Sequence, residues 1–240
     1  FQFTANYEAG GGKWTFGDMS PRLSPWTLSG KRLFGLEMAR RAGAKKFFLL
    51  AAQYKKFPNA DPGDDHILAA GYDWLKNRNY ALSSEFVITQ ENQMFAGALS
   101  AGRNQVLLNR FAYTPGSGVS VEVTYASSRY KNGGNPATPQ QNGDALKVAL
   151  TLPVGLFRIK TSFEDVDNGF KTLGGYAASG RRVAISEISA PMGPNAAFKG
   201  GYTVNKAETQ SISSIPWSLT LKPFGKKTTL ILDHNSRWNK

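Results

Sequence analysis

The stretch Ala145-Leu146-Lys147-Val148-Ala149-Leu150-Thr151-Leu152-Pro153-Val154-Gly155-Leu156-Phe157-Arg158-Ile159-Lys160-Thr161-Ser162-Phe163-Glu164 decides the fold. Leu146, Val148, Leu150 and Leu152 alternate with Ala145, Lys147, Ala149 and Thr151. After a turn at Pro153-Val154-Gly155, Phe157, Ile159 and Phe163 oppose Arg158, Lys160, Ser162 and Glu164. A period of two residues is that of a β-strand with one apolar and one polar face. Two such runs around a Pro/Gly break read as an antiparallel hairpin.

The same period runs outward in both directions. Phe1, Phe3, Ala5 and Tyr7 oppose Gln2, Thr4, Asn6 and Glu8; Gly10-Gly11-Gly12 breaks the run, and Trp14 and Phe16 resume it. Val119, Val121, Val123 and Tyr125 oppose Ser120, Glu122 and Thr124. Leu68, Ala70, Tyr72 and Trp74 oppose Gly71 and Asp73, and Tyr80, Leu82, Phe86 and Ile88 oppose Ser83 and Glu85. Between Leu33 and Arg41 the face Phe34, Leu36, Met38 reads as a strand, although Leu-Glu-Met-Ala-Arg-Arg would also suit a short helix. Breaks recur at Pro58–Gly63, Pro115–Gly118, Asn168-Gly169 and Pro223–Gly225, which predicts roughly fourteen to sixteen strands. Lys131 to Asp144 is the longest expected loop, too short for a domain linker, so residues 1–240 read as one domain. Pro25-Trp26-Thr27-Leu28 and Pro216-Trp217-Ser218-Leu219 form a near-repeat too short to imply a repeat architecture.

Composition narrows the class. The 240 residues are 19% charged and 12% aromatic, with 25 Gly and a mean hydropathy of −0.35. The longest apolar run, Phe47–Ala52, is far below the roughly 20 residues of a membrane helix, which excludes a helical membrane protein; a spanning strand needs only about 9–11 residues. The chain has no Cys, so disulfides and thiolate chemistry are absent. The net charge of +12 is dispersed in pairs (Lys45-Lys46, Lys55-Lys56, Arg181-Arg182, Lys226-Lys227) beside expected turns. That pattern suits solvated turns or lipid phosphates, and no nucleic-acid partner is expected. Phe1 is either a mature terminus or the start of a fragment.

A soluble two-sheet sandwich, binding glycans or assembling with other subunits, would also alternate. What favours a membrane barrel is the polar face, which mixes Glu8, Glu37, Asp73, Glu85, Glu122, Lys147, Arg158, Lys160 and Glu164. A lumen tolerates both signs, whereas lipid takes the aliphatic face. Trp14, Trp26, Trp74, Tyr80, Tyr113, Tyr130, Tyr176, Tyr202, Trp217 and Trp238 fall near expected strand ends, where an interfacial girdle would place them. The expected fold is an all-β, antiparallel up-and-down transmembrane β-barrel, whole or as a fragment of a larger one. In it Lys147, Arg158, Lys160, Glu122, Glu85 and Glu164 line the pore, and the cations Lys147, Arg158 and Lys160 give an anion-leaning field. Ile159 is then expected to face lipid and Lys160 the interior.

Residues 16–35, Phe16-Gly17-Asp18-Met19 through Lys31-Arg32-Leu33-Phe34-Gly35, resemble the strand, Gly-Asp turn and return of Gram-negative outer-membrane barrels. Ser162 to Gly174 is similar to a strand exit in large barrels of the secretion and gliding-motility type. The two stretches cover about a seventh of the chain. The resemblance implies a bacterial outer-membrane porin, conduit or scaffold, non-enzymatic, in contact with outer-membrane lipid and lipopolysaccharide and with other envelope proteins. Such barrels commonly finish on an aromatic residue, whereas this chain finishes Arg237-Trp238-Asn239-Lys240. A truncated barrel, or a different class, is therefore expected.

Catalytic candidates are few, because the chain has two histidines. His66 follows Asp64-Asp65 in a Gly/Pro-rich turn and reads as a solvated loop end rather than a metal site. His234 and Ser236 share a strand face, and this His-x-Ser pair resembles that of outer-membrane phospholipase A, where the His deprotonates the Ser for acyl transfer. The Asn that follows the Ser in that family is Arg237 here. Gly116-Ser117-Gly118 lacks the nucleophile-elbow spacing, and Gly10-Gly11-Gly12-Lys13 lacks that of a phosphate loop. No cofactor and no metal are expected.

Overall fold

The computed structural model describes residues 3–21, 23–28, 32–54, 66–95, 98–133, 139–172, 179–207, 210–222 and 229–239. Fourteen strands follow one another: β1 (Thr4–Ala9), β2 (Gly12–Met19), β3 (Leu33–Ala42), β4 (Lys45–Tyr54), β5 (His66–Lys76), β6 (Tyr80–Phe95) and β7 (Ala98–Tyr113), then β8 (Ser120–Asn132), β9 (Gln141–Val154), β10 (Phe157–Val166), β11 (Arg181–Pro191), β12 (Ala196–Lys206), β13 (Ser211–Leu221) and β14 (Leu230–Asn239). They form one sheet in sequence order, each antiparallel to the next. Among the described residues β1 and β14 do not pair with each other, so the sheet is an open arc. A single sheet of this topology rules out the two-layer sandwich.

The segment from Leu33 is strand throughout, so the helical option fails. Its outer face of Phe34 and Leu36 is set against the partners Gln53 and Ala51 of β4, and long-range pairing overrides the local helix propensity of Leu-Glu-Met-Ala.

The two ends of the sheet differ. At one end β1–β2, β3–β4 and β9–β10 are joined by tight turns; Gly10 and Gly11 have φ of 57° and 74°, the positive-φ pair of a type I′ hairpin. At the other end the connections are longer, notably 20–32 and 167–180. The expected loop from Lys131 to Asp144 shrinks to 133–140, because β8 runs to Asn132 and β9 begins at Gln141. Polar side chains at Arg129, Asn142 and Asp144 imitate a loop while the backbone stays in the ladder. The expected Gly-Asp turn lies inside β2: Gly17 and Asp18 pair with Gly35 and Phe34, and the reversal comes later. Pro58–Gly63, Asp64-Asp65, Tyr176 and Pro223–Gly225 lie outside the described residues.

Register partners can be followed across the sheet from Tyr7 to Trp14, Met38, Leu49, Ala70, Phe86, Leu107, Ser127 and Asp144. The row starts beside the Gly10 turn and ends at the loop end of β9. It climbs because the strands tilt, as they must in a barrel wall.

Burial follows residue parity. Phe48, Leu50, Ile67, Val87, Val106, Leu108, Ala126 and Ala145 are buried on one face. The other face leaves Leu49, Leu68, Phe86, Leu107, Phe111, Leu146 and Phe163 exposed at 37–54%. So large a continuous exposed apolar surface is foreign to a soluble monomer and is what a lipid-facing wall presents. Aromatic residues gather on that outer face toward the turn end, with Tyr80 stacked on Tyr113 at 4.8 Å and Tyr72 edge-on to Trp74 at 5.0 Å. Tyr202 and Trp217 sit mid-strand, and Trp26 and Tyr130 face inward, so these four do not belong to a girdle. Pro25–Leu28 lies in a loop and Pro216–Leu219 in β13, so the near-repeat has no common structure.

Candidate functional site

The interior face is filled at the loop end by two connections that fold into the arc. Ser24–Leu28 forms a tight turn in which Thr27 and Leu28 donate their amides to the Ser24 carbonyl at 3.0 and 3.1 Å. Trp26, Thr27 and Leu28 are all buried. Glu85, from the inner side of β6, holds the turn: its Oε2 accepts from Thr27 Oγ1 at 2.8 Å and from the Ser24 amide at 3.3 Å. Asp167–Thr172 enters from the opposite wall. Asn104 Nδ2 donates to the Lys171 carbonyl at 2.8 Å, and the Lys171 amide donates to Ser128 Oγ at 3.0 Å. The backbone of this loop lies directly on β9, and a Cβ on Gly143 or on Gly169 would fall on the facing backbone, at the Phe170 amide or the Asn142 carbonyl. Glycine is needed at this contact because the two segments touch through main-chain atoms. The loops meet where Trp26 and Phe170 pack edge-on at 6.3 Å and Thr172 Oγ1 donates to the Thr27 carbonyl at 3.4 Å. The result is a constriction of the interior near the loop end.

All six sequence-predicted lining residues share the parity of the buried inner face, with differing surroundings. Glu85 is engaged by the Ser24–Leu28 turn and so works as a loop anchor. Glu122 Oε2 accepts from Arg110 Nη2 at 2.9 Å. Lys147 and Glu164 are register partners on β9 and β10 without an ion pair. Arg158 and Lys160 have none either among the described residues, although Lys160 faces Glu187 across the ladder; Glu187 instead pairs with Lys199 at 3.1 Å.

Sequence reasoning missed a second group. Arg41 and Lys46 stand directly opposite each other on the inner face, bordering a cavity of about 690 Å³ at the turn end that also touches Glu8, Lys13 and Glu37. As half of the Lys45-Lys46 pair, Lys46 reads as a solvated turn residue, yet its spacing of two from Phe48 and four from Leu50 places it inward. Like charges across a ladder repel, and neither cation has an ion-pair partner among the described residues.

His234 and Ser236 meet on the outer face of β14, with Nε2 and Oγ 2.7 Å apart. The imidazole lies tilted over Trp217, 5.6 Å between centroids. Among the described residues no carboxylate holds its other nitrogen, and acyl transfer by a Ser-His pair relies on such an orienting group. His66 opens β5, paired with Gln53 and Gln90.

No protein-family model matches the chain, and no curated protein matches it. Solved structures do. Pseudomonas aeruginosa OpdL superposes with a TM-score of 0.60 at 13% identity, over 99% of this chain and 76% of that one. P. aeruginosa OpdK, determined with vanillate, gives 0.60 at 12% over 98% and 73%. Acinetobacter baumannii OccAB1 gives 0.59 at 10% over 99% and 70%. These are outer-membrane substrate-specific porins, and it is their antiparallel up-and-down barrel that this chain's fourteen-stranded arc reproduces.

Proposed function

We propose that the chain is the wall of a bacterial outer-membrane channel that passes small anionic solutes, carboxylates foremost. The observation that carries this reading is the charge balance of the inner face. Arg41, Lys46, Lys147, Arg158 and Lys160 have no ion-pair partner among the described residues and outnumber the inner carboxylates likewise without one, Glu37, Glu164 and Asp233, while Glu8, Asp73, Glu122 and Glu187 are each tied to a cation. Unpaired cations on a low-dielectric wall raise the local concentration of anions, and rings of Lys and Arg favour anion passage. The fold supports the same reading, since one similar porin was determined with vanillate and another, P. aeruginosa OccK2, with glucuronate. The porins named above lend no support to the secretion or gliding type of barrel. Outer-membrane lipid would cover the exposed apolar face.

Reconstitution in planar bilayers under a salt gradient tests it. The reversal potential is expected to show anion preference, and Lys147→Glu with Lys160→Glu to move it toward cation preference. A cation-selective wild type would overturn the proposal. A second reading, ester hydrolysis on the outer wall, is favoured only by the His234–Ser236 hydrogen bond. It requires that a fluorophosphonate label the wild type and fail to label Ser236→Ala.

A further inference from the structure

The outer face changes character at the loop end. Arg103 shares the outer side of β7 with Leu107 and Phe111, because alternate side chains of a strand point the same way. Arg129 and Lys131 likewise share the outer side of β8 with Tyr125. The register sets Arg103 directly opposite Lys131, and three strands farther on it sets Arg182 directly opposite Lys206. All five cations are exposed. Like charges facing each other across an antiparallel pair are destabilising, so two such pairs at the same end of the same face call for counter-charge. Arg182 has a protein partner: its Nε donates to both oxygens of Asp165 at 3.0 and 2.9 Å. Arg103, Arg129, Lys131 and Lys206 have no ion pair among the described residues.

Two depressions lie at this end of the face, Arg129 lining the first and Arg182 and Lys206 the second, while Arg103 and Lys131 stand outside both. One, of about 530 Å³, is lined by Gln105, Ser127, Arg129, Asn142 and Asp144 among others. The next, of about 470 Å³, is lined by Asp165, Arg182 and Lys206. Asp167 borders both, so they are neighbours. Their amides, hydroxyl and carboxylates suit sugar hydroxyls, whereas Asp144, Asp165 and Asp167 would repel phosphate, which is left to the cations beside them. Toward the turn end the same strands turn apolar, with Leu107, Phe111, Leu146 and Phe163 exposed. A polar cationic rim above an apolar wall fits an amphiphile rather than a free anion.

We infer that this rim docks the phosphorylated sugar headgroup of an outer-leaflet lipid. Its phosphates lie against Arg103, Arg129, Lys131 and Lys206, and its acyl chains run down the wall past Leu107 and Leu146. The inference rests on the outer-membrane reading above and deepens it by naming the lipid and the residues.

The test is binding of a fluorescent bisphosphorylated diglucosamine glycolipid (lipid A) and of its phosphatase-treated form to the chain refolded in zwitterionic nanodiscs. The phosphorylated form is expected to bind more tightly, with affinity falling as salt rises. Arg103→Gln with Lys131→Gln should weaken it about thirty-fold, at roughly five-fold per cation near a charged membrane surface. Arg103→Lys should retain binding, and so should Lys45→Gln at the turn end. Equal affinity for the dephosphorylated glycolipid, no loss in the double variant, or displacement by low-millimolar inorganic phosphate would each overturn the inference. Should the double variant not insert, Lys206→Gln alone decides, with about a five-fold loss expected and no loss overturning it. A chain that inserts but ignores the phosphates defeats this inference alone, whereas a chain monodisperse without detergent defeats the membrane reading itself.

Discussion

Two adjacent residues, Ala149 and Leu150, offer the sharpest test of which face meets lipid. On β9 the outer side chains run Val154, Leu152, Leu150, Val148, Leu146. At a rise of about 3.3 Å per residue and a tilt near 40° they span about 20 Å along the barrel axis. That length approaches the roughly 25 Å apolar band of an outer-membrane barrel. Leu150, four residues from either end of the run, lies near the midplane, between Val121 of β8 and Thr161 of β10. Leu150→Arg should therefore cost about 2–4 kcal/mol, the range for a guanidinium at mid-bilayer on a barrel's outer face. Ala149→Arg points inward, opposite Glu122 and Ser162, where water and a carboxylate receive the charge, and should cost less than about 1 kcal/mol. The assay is reversible folding into phosphatidylcholine vesicles against urea, followed by tryptophan fluorescence and the folded-band gel shift. Equal costs at 149 and 150, or the larger cost at 149, would refute the assignment of faces. Ile159 pairs with Leu152, about 5 Å nearer the turn end than Leu150, so Ile159→Arg should cost less than Leu150→Arg, the penalty falling with distance from the midplane.

Spin labels at 159 and 160 should report opposite accessibility to oxygen and to a water-soluble quencher, and matching values at the two sites would contradict the alternation. Phe170→Ala removes a side chain that is 1% exposed; about 3–5 kcal/mol of stability should go with it, and single-channel conductance should rise because the loop loses its packing on Trp26. Gly143→Val should displace the Asp167–Thr172 loop without touching a lining charge, so conductance is expected to rise while ion preference stays at the wild-type value; a shift in preference with unchanged conductance would argue against the loop contact.

The legible part of this molecule is whatever a two-residue period encodes. Parity along Leu146–Leu152 and Phe157–Phe163 fixed the strands, the hairpin and the side of the wall on which Lys147, Arg158 and Lys160 stand, because strand side chains alternate regardless of what the strand pairs with. The loop between 131 and 144 is shorter than the pattern suggests for a related reason. Polar residues on the outer face mean loop to a hydrophobicity pattern, yet beyond the apolar band a strand continues with polar side chains, and Arg129, Asn142 and Asp144 do so.

The constriction was less legible, since it depends on contacts between residues as distant in sequence as Trp26 and Phe170. One local signal was present. Trp26 lies between Pro25 and Leu28 in a segment with no alternating partners, and a lipid-facing girdle needs a strand to hold the ring at the interface. An aromatic and a leucine in a strandless segment must bury themselves elsewhere, and in an up-and-down arc whose outer face belongs to lipid the remaining place is the interior. The same reasoning applies to Phe170 after Asn168-Gly169. Apolar side chains at the centre of a long connection thus mark the loops that fold inward, and glycines where they touch the wall, Gly143 and Gly169, mark where the backbones meet.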